Sequence, residues 1–352
     1  MKGSGAGCSK LGICVIGLGF GAVGHAKHLS AMEDVDLYVC DTDRAKVESA
    51  EREFDVAGSF SSIDEALGCE AIDAVVIALP HHLHCPVTIK AAEAGKHCMV
   101  EKPMALDLQE ADAMIEAAER AGTRLAVAEN YHFMPDSAEA CRLIAAGLVG
   151  TVFMVQVHAM WRRAPRPGSW WSQRTATGGG VLMGGGTHLI RTLRLLAGGS
   201  AELVFVLLAD KVDAELALEG EDTAVVSVRF DNGIVGSVAM SWGVAHGAPC
   251  PVFTVYGTHG SIIATASSNR DDRGLIVHSS RIEGVGPADG ELRIECDGGY
   301  RDSLPAECRE FVRWLRTGGP SPIDACEGRR DLEIVEAAYR SAESSQAVHL
   351  PL

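Results

Sequence analysis

Residues 11–32 read LGICVIGLGFGAVGHAKHLSAM, and this stretch decides the fold of the first half of the chain. An apolar run, LGICVI, enters a glycine-rich turn and continues as FGAVGHAKHLSAM, where Ala22, Val23, Ala26 and Leu29 share one helical face. Between strand and helix, Gly17-Leu18-Gly19-Phe20-Gly21-Ala22 fits G-x-G-x-x-A. Glycines in that turn let backbone N–H groups approach a pyrophosphate at a helix N-terminus. Asp41 ends the next strand-like run, 24 residues after Gly17, where a carboxylate accepts hydrogen bonds from adenosine ribose hydroxyls. An acid there disfavours a 2′-phosphate, so the pattern predicts NAD(H) rather than NADP(H).

The alternation continues outward. Strands are predicted at 35–40, 56–60, 73–79, 96–100 and 124–129, with helices at 43–53, near 62–67, at 84–94 and at 107–121. The runs near 75–79 and 97–100 are continuously apolar, as expected of strands covered on both faces of a parallel sheet. Repeated strand–helix units predict an α/β fold with a doubly wound parallel sheet. Further on, TAVVSVRF (223–230) and GIVGSVAMSWG (233–243) alternate in character around Asp231-Asn232-Gly233, a hairpin signal.

A length of 352 residues predicts two domains, and 47% hydrophobic with 22% charged residues describes a chain able to bury a sizeable core. A net charge of −16 repels phosphate backbones and anionic lipids, which argues against nucleic-acid and membrane partners. No apolar run approaches the roughly 20 residues that span a bilayer. MKGSGAGCSK (1–10) reads as a loose tail rather than a secretory signal. Eleven cysteines are scattered with no C-x-x-C pair, which points to reduced thiols in a cytoplasm. His81, His82 and His84 have no acid or cysteine at ligand spacing, so they read as a helix start beside the cofactor and no metal is expected.

AGKHCMVEKPMALDLQEA (94–111), with Glu101-Lys102-Pro103, resembles the E-K-P signature of the glucose–fructose oxidoreductase, inositol dehydrogenase and rhizopine-catabolism (Gfo/Idh/MocA) family. ALPHHLHCPVTIKAAEAGKH (78–97) is similar to the family's P-x-x-x-H stretch, with Pro80 and His84 in the matching places. ENYHFMPDSAEACRLIAAGLVGTV (129–152) resembles its N-x-x-x-x-P helix and the crossing into a second domain, and AAYRSAESSQAVHLPL (337–352) its last helix and strand. The resemblance implies a Rossmann domain over 11–130, its last helix near 135–147. A substrate and oligomerisation domain over 148–335 would carry a large open, mostly antiparallel sheet, and residues 336–352 would pack back. NAD is implied as cofactor, bound by Gly17, Gly19, Phe20, Gly21, Ala22, Asp41, Leu79, Pro80, His84, Glu101, Lys102 and Asn130. A homo-oligomer, dimer or tetramer, through the C-terminal sheet is also implied. The implied activity is hydride transfer to or from a secondary alcohol carbon of a sugar, inositol or sugar-derived substrate. A redox-assisted glycosidase or lyase that retains NAD and a non-catalytic NAD-binding sensor are the alternatives within the same resemblance.

Hydride transfer at an alcohol needs a group that moves the hydroxyl proton, and the resemblance assigns this to Lys102 and His188. GGGVLMGGGTHLIR (178–191) packs six glycines into nine positions just before that histidine. The family pattern is G-G-G-x-L-x-D-x-G-x-H, and here Gly184 stands at the aspartate. Arg191 lies one helical turn beyond His188, where family members often carry an acid. Both changes shift the local charge positive. One reading is a substrate carboxylate or phosphate on Arg191, and the other is Arg191 paired with an acid of the second domain. The expected substrate contacts are Lys102, His132, Trp161, Arg162, Trp171, His188 and Arg191. MWRRAPRPGSWWSQR (160–174) reads equally as a sugar-stacking wall or as a loop pinned by buried tryptophans.

Overall fold

Six short strands of the first half pair in parallel in the order β3-β2-β1-β4-β5-β6. They are β1 (Leu11–Ile16), β2 (Val35–Cys40), β3 (Gly58–Phe60), β4 (Ala74–Ile77), β5 (His97–Glu101) and β6 (Leu125–Ala128). The computed structural model describes residues 9–19, 21–210, 216–245, 250–265, 273–282 and 291–352; Phe20 and residues 1–8 lie outside these. Helices cover both faces of the sheet, which is why Ile13, Cys14 and Val15 of β1 are all buried and the strand sequences do not alternate. The strand order reverses between β1 and β4, so a crevice opens above their C-terminal ends. Gly17 sits there with φ +88°, and a Cβ at this position would lie 2.5 Å from the Ala78 carbonyl oxygen. Only glycine satisfies both constraints.

The second sheet has nine strands in the order β14-β13-β12-β11-β7-β10-β9-β8-β15. They are β7 (Val152–Met160), β8 (Ala201–Ala209), β9 (Thr223–Phe230), β10 (Val235–Ser241), β11 (Phe253–Gly257), β12 (Gly260–Ala264), β13 (Gly274–Ser279), β14 (Glu291–Glu295) and β15 (Val348–His349). Every pairing is antiparallel except β7 with β10, and β9–β10 form the hairpin that the alternation predicts. The helices Thr187–Ala197 and Ala325–Ser344 pack on this sheet. On its other side Phe153, Phe205, Leu207, Val225 and Val235 remain exposed.

Two boundaries differ from the sequence reading. The division at 335/336 falls inside the helix Ala325–Ser344. The helix Tyr300–Thr317, assigned from sequence to the second domain, packs against the helix Ala22–Ser30 of the first. Its Cys308 and Phe311 join the buried cluster that contains Val15 and Ala26, and the Val127 N–H donates to the Ile323 carbonyl at 2.7 Å. The apolar stripe of that helix is buried by the first helix, irrespective of its closeness in sequence to the second sheet.

Arg191 also differs. Its side chain is buried, its Nε donates to Asp331 Oδ2 at 2.7 Å, and its Nη1 donates to the Pro322 carbonyl at 3.1 Å. Arg194, one turn on, donates to Asp331 Oδ1 at 2.5 Å and to Glu327 Oε2 at 2.9 Å. These arginines tie the helix Thr187–Ala197 to the helix Ala325–Ser344. Arg191 is therefore a structural ion-pair partner and not a substrate contact, because its charge is already matched by a buried carboxylate.

Candidate active site

The site lies where the end of β5 meets the glycine run. Lys102 follows the last residue of β5, and its Nζ donates to the Gly184 carbonyl at 2.8 Å. Gly184 belongs to a π-helical turn, Leu182–Gly186, that leads directly into the helix Thr187–Ala197. Such turns present irregular backbone and are frequent at functional sites. The turn is laid against Glu221, whose carboxylate accepts from the N–H groups of Gly180 (3.1 Å) and Leu182 (3.0 Å). Above it lies the buried Trp242, and a Cβ on Gly184 would sit 2.8 Å from Trp242 Cη2. The absence of an acid at 184 thus has a steric reason: the indole occupies the space.

A carboxylate arrives from another element. Glu129, directly after β6, is buried, and its Oε1 lies 2.5 Å from His188 Nδ1. The same oxygen accepts from the Tyr131 N–H at 3.2 Å. The Tyr131 ring stacks on the His188 ring with centroids 4.3 Å apart and planes at 14°. Burial would raise the Glu129 carboxyl, but His188 foremost, then Arg191 and Lys102, outweigh it and hold it below the usual range. Burial lowers His188 more than Glu129 raises it. Burial likewise lowers Lys102 against the opposing pull of Glu101 and Glu129. The result is an anionic carboxylate, a neutral imidazole and an amine that deprotonates more readily than a surface lysine.

The nucleotide end has its own geometry. Asp41 Oδ2 accepts from the Leu18 N–H at 2.7 Å and Oδ1 from the Asp43 N–H at 2.8 Å. Lys46 Nζ lies 3.2 Å from Oδ2, and these donors overcome burial to keep the Asp41 carboxyl below its ordinary value. A Cβ on Gly19 would meet no atom within 4 Å, so the loop leaves open space in front of the turn. Gly21 and Ala22 open the first helix, and Leu79 packs beside Gly17. Pro80 precedes the short helix His81–Leu83. These features fit a dinucleotide: an open glycine cradle at a helix start, with an acid one strand away.

Other expected contacts turn out to be supports. His84 is fully buried, and its ring nitrogens lie 2.9 Å from the carbonyl oxygens of Pro103 and Leu79. It braces the loops on either side of Lys102 through these carbonyls. Asn130 is buried and donates through Nδ2 to Ser303 Oγ at 2.8 Å. Glu101 Oε1 lies 2.7 Å from Nε2 of the buried His25, which outweighs burial and brings the carboxyl down to about 2. His132 stands among the charges of Arg191, Glu129, Glu327 and Glu310, and burial takes it down to about 4. Of the tryptophan loop, Trp161 is half-buried and Arg162 exposed, whereas Trp171 lies between Trp242 (5.7 Å) and the Arg163 guanidinium (3.8 Å). His81 Nδ1 lies 3.0 Å from the Thr177 carbonyl, and no group of three metal-binding side chains occurs among the described residues. Glu129, Tyr131, Trp242 and Arg163 are the site residues that sequence reasoning did not pick out.

Comparisons with known proteins point the same way. The model of the NAD-binding Rossmann fold of the Gfo/Idh/MocA oxidoreductases matches residues 11–129, and that of their C-terminal alpha/beta domain matches residues 142–350. The levoglucosan dehydrogenase of Pseudarthrobacter phenanthrenivorans is 29% identical over 97% of this chain and 98% of its own. A 1,5-anhydro-D-fructose reductase from Ensifer adhaerens is 32% identical over 84% of this chain and 85% of its own. A solved levoglucosan dehydrogenase in complex with NADH and levoglucosan superposes with a TM-score of 0.87 at 26% identity, covering 98% and 100% of the two chains.

The packing of Trp242 on Gly184 makes a specific demand. Gly184→Ala should destabilise the protein by about 1–3 kcal/mol, the range for overpacking a filled core. In a Trp242→Leu background, itself destabilised by the cavity it leaves, the further cost of Gly184→Ala should be much smaller. Denaturant midpoints read this, and an unchanged midpoint for Gly184→Ala would remove the steric explanation.

Proposed function

The chain belongs to the Gfo/Idh/MocA oxidoreductase family, and on that premise we propose that it oxidises or reduces a secondary alcohol carbon of a sugar or polyol. The observation that carries this reading is the meeting of Lys102, His188 and Glu129 at the C-terminal end of the parallel sheet. NAD, held by the Gly17–Gly21 turn with Asp41 at its ribose, supplies the hydride acceptor or donor. The dehydrogenases and reductase named among the relatives support this over a retained-NAD lyase or a sensor.

The proton path follows from hydrogen-bond chemistry. An ionised Glu129 only accepts, so Nδ1 of the neutral His188 carries the proton and Nε2 carries the lone pair. Nε2 makes no hydrogen bond among the described residues. It is the base that takes the hydroxyl proton in the oxidative direction and returns it in the reductive one. Lys102, fixed by the Gly184 carbonyl, keeps further N–H groups to orient the same hydroxyl and share its proton. Glu129 keeps the imidazole in this tautomer.

The uncovered side of the nine-stranded sheet supports a contact between copies, because Leu207 is 65% and Phe153 49% exposed there. No helix among the described residues is long and apolar enough to cross a membrane. The scattered cysteines support a cytoplasmic location.

Spectrophotometry at 340 nm with neutral polyols, aldoses, sugar acids and sugar phosphates should show turnover with NAD and weaker turnover with NADP. Lys102→Ala should lower kcat by roughly 10²–10⁴, the range for a general acid–base group. NAD that stays bound without net consumption would favour the lyase, and binding with no turnover the sensor. Glu129→Gln should lower kcat by roughly 10²-fold and shift the acid limb of kcat/KM. The sign is fixed: oxidation needs neutral His188, whose pKa lies below its ordinary value, and the Glu129 charge raises it. Without that charge the limb moves to lower pH; an unmoved limb would make Glu129 purely structural. Sedimentation at micromolar concentration should give a dimer or tetramer that Leu207→Glu weakens, and a monomer would end the interface assignment.

A further inference from the structure

Arg163 lies three residues past the end of β7, and its N–H donates to the Trp242 carbonyl at 3.2 Å. Its guanidinium carbon stands 3.8 Å over the Trp171 ring. Trp171 Nε1 is 3.9 Å from the point a Gly184 Cβ would occupy, and the Gly184 carbonyl holds Lys102 Nζ at 2.8 Å. This unbroken chain of contacts puts Arg163 and Lys102 on one wall of the site. Two tyrosines border the same space: Tyr131, stacked on His188, and Tyr300, edge-on to Tyr131 at 6.2 Å.

Among the described residues the Arg163 guanidinium makes no hydrogen bond and no ion pair beyond its stacking on Trp171. It is only half-exposed, and burial lowers its pKa, with Tyr300 and Tyr131 opposing. The nearby carboxylates are already engaged, Glu129 by His188 and Glu101 by His25. Lys102 adds a like charge. A partly desolvated guanidinium with five N–H donors and no acceptor is an unfavourable arrangement unless an anion completes it. Arg191 shows the contrast, because its acid is supplied by the chain itself.

We propose that Arg163 binds an anionic group of the substrate, a carboxylate or a phosphate, while the reacting carbinol lies between Lys102 and His188. The assignment rests on the dehydrogenase reading above and narrows its substrate to sugar acids or sugar phosphates. The planar fork receives either oxyanion bidentately, and its stacking on Trp171 sets the plane in which the anion docks. Asp41 and the Gly17–Gly21 turn serve the nucleotide, so the anion concerned is the substrate's own.

The test uses the full chain with NAD and three matched substrates: an aldohexose, its 6-carboxylate and its 6-phosphate. The wild type should prefer one of the two anions to the neutral sugar. Arg163→Ala should lower the ratio of kcat/KM on that anion to that on the neutral sugar by about tenfold or more, equivalent to about 1.4 kcal/mol. Most of the change should appear in KM, and Arg163→Lys should retain part of the preference. The Kd for NAD, measured by titration, should stay within about twofold, which also reports a folded variant. Equal losses on anion and neutral sugar, or a loss of NAD affinity without a change in substrate ratio, would overturn the proposal. Wild-type turnover of the neutral sugar alone would overturn it and leave the dehydrogenase reading standing. Turnover of no sugar or polyol in the broader screen would end both.

Discussion

The bond from Lys102 Nζ to the Gly184 carbonyl joins the end of the parallel sheet to the glycine run of the second half of the chain, at the candidate site. One end is fixed by the parallel sheet, since Lys102 follows β5 directly and the His84 ring braces the Pro103 carbonyl behind it. The other end is fixed by a π-helical turn that has no freedom to move outward. Trp242 lies on the α-carbon side of Gly184, and Glu221 grips the N–H groups before it. A side chain at 184 would push the carbonyl away from the amine. The glycine run is therefore a close-packed wall, and its lack of side chains lets the lysine reach backbone.

With that wall in place, the charges sort themselves by what each can reach. His188 cannot take an acid from its own helix turn, and it takes Glu129 from the end of β6 instead. Burial lowers both Lys102 and His188; Glu101 and then Glu129 oppose the shift in Lys102, and Glu129 foremost opposes it in His188. On the far side of the same helix, Arg191 and Arg194 meet Asp331 and Glu327 and lock the helix Thr187–Ala197 against the helix Ala325–Ser344. Among the described residues, the site is thus bounded by one matched ion cluster and by the Arg163 guanidinium, which stacks on Trp171 without an ion-pair partner.

Some of what sequence reasoning missed was nevertheless encoded there. Val155, Val157 and Ala159 are buried on β7, and continuing their period of two turns Arg163 inward and leaves Arg162 to solvent. Glu129 had a weaker signal: an acid directly after the four apolar residues of β6, at the strand end where α/β sheets place functional groups. Nothing local marks its partner, which is 59 residues away in sequence. The aspartate vacancy at 184 was legible, but its cause was not, since Trp242 lies 58 positions further along the chain.

By itself the sequence determined the elements and the local chemistry. Strand and helix periods, the G-x-G-x-x-A turn, the Asp231–Gly233 hairpin, the E-K-P lysine and the histidine after the glycine run all depend on neighbours a few residues apart. Tertiary structure alone decided the partnerships: Glu129 with His188, Arg191 with Asp331 across 140 residues, the helix Tyr300–Thr317 with the first helix, and Arg163 with the Trp171 ring. The physical reason is range. Backbone conformation is set by short-range sterics and periodic burial, which a sequence displays directly. Pairing of buried charges depends on which faces of distant elements come into contact, and no local pattern carries that information.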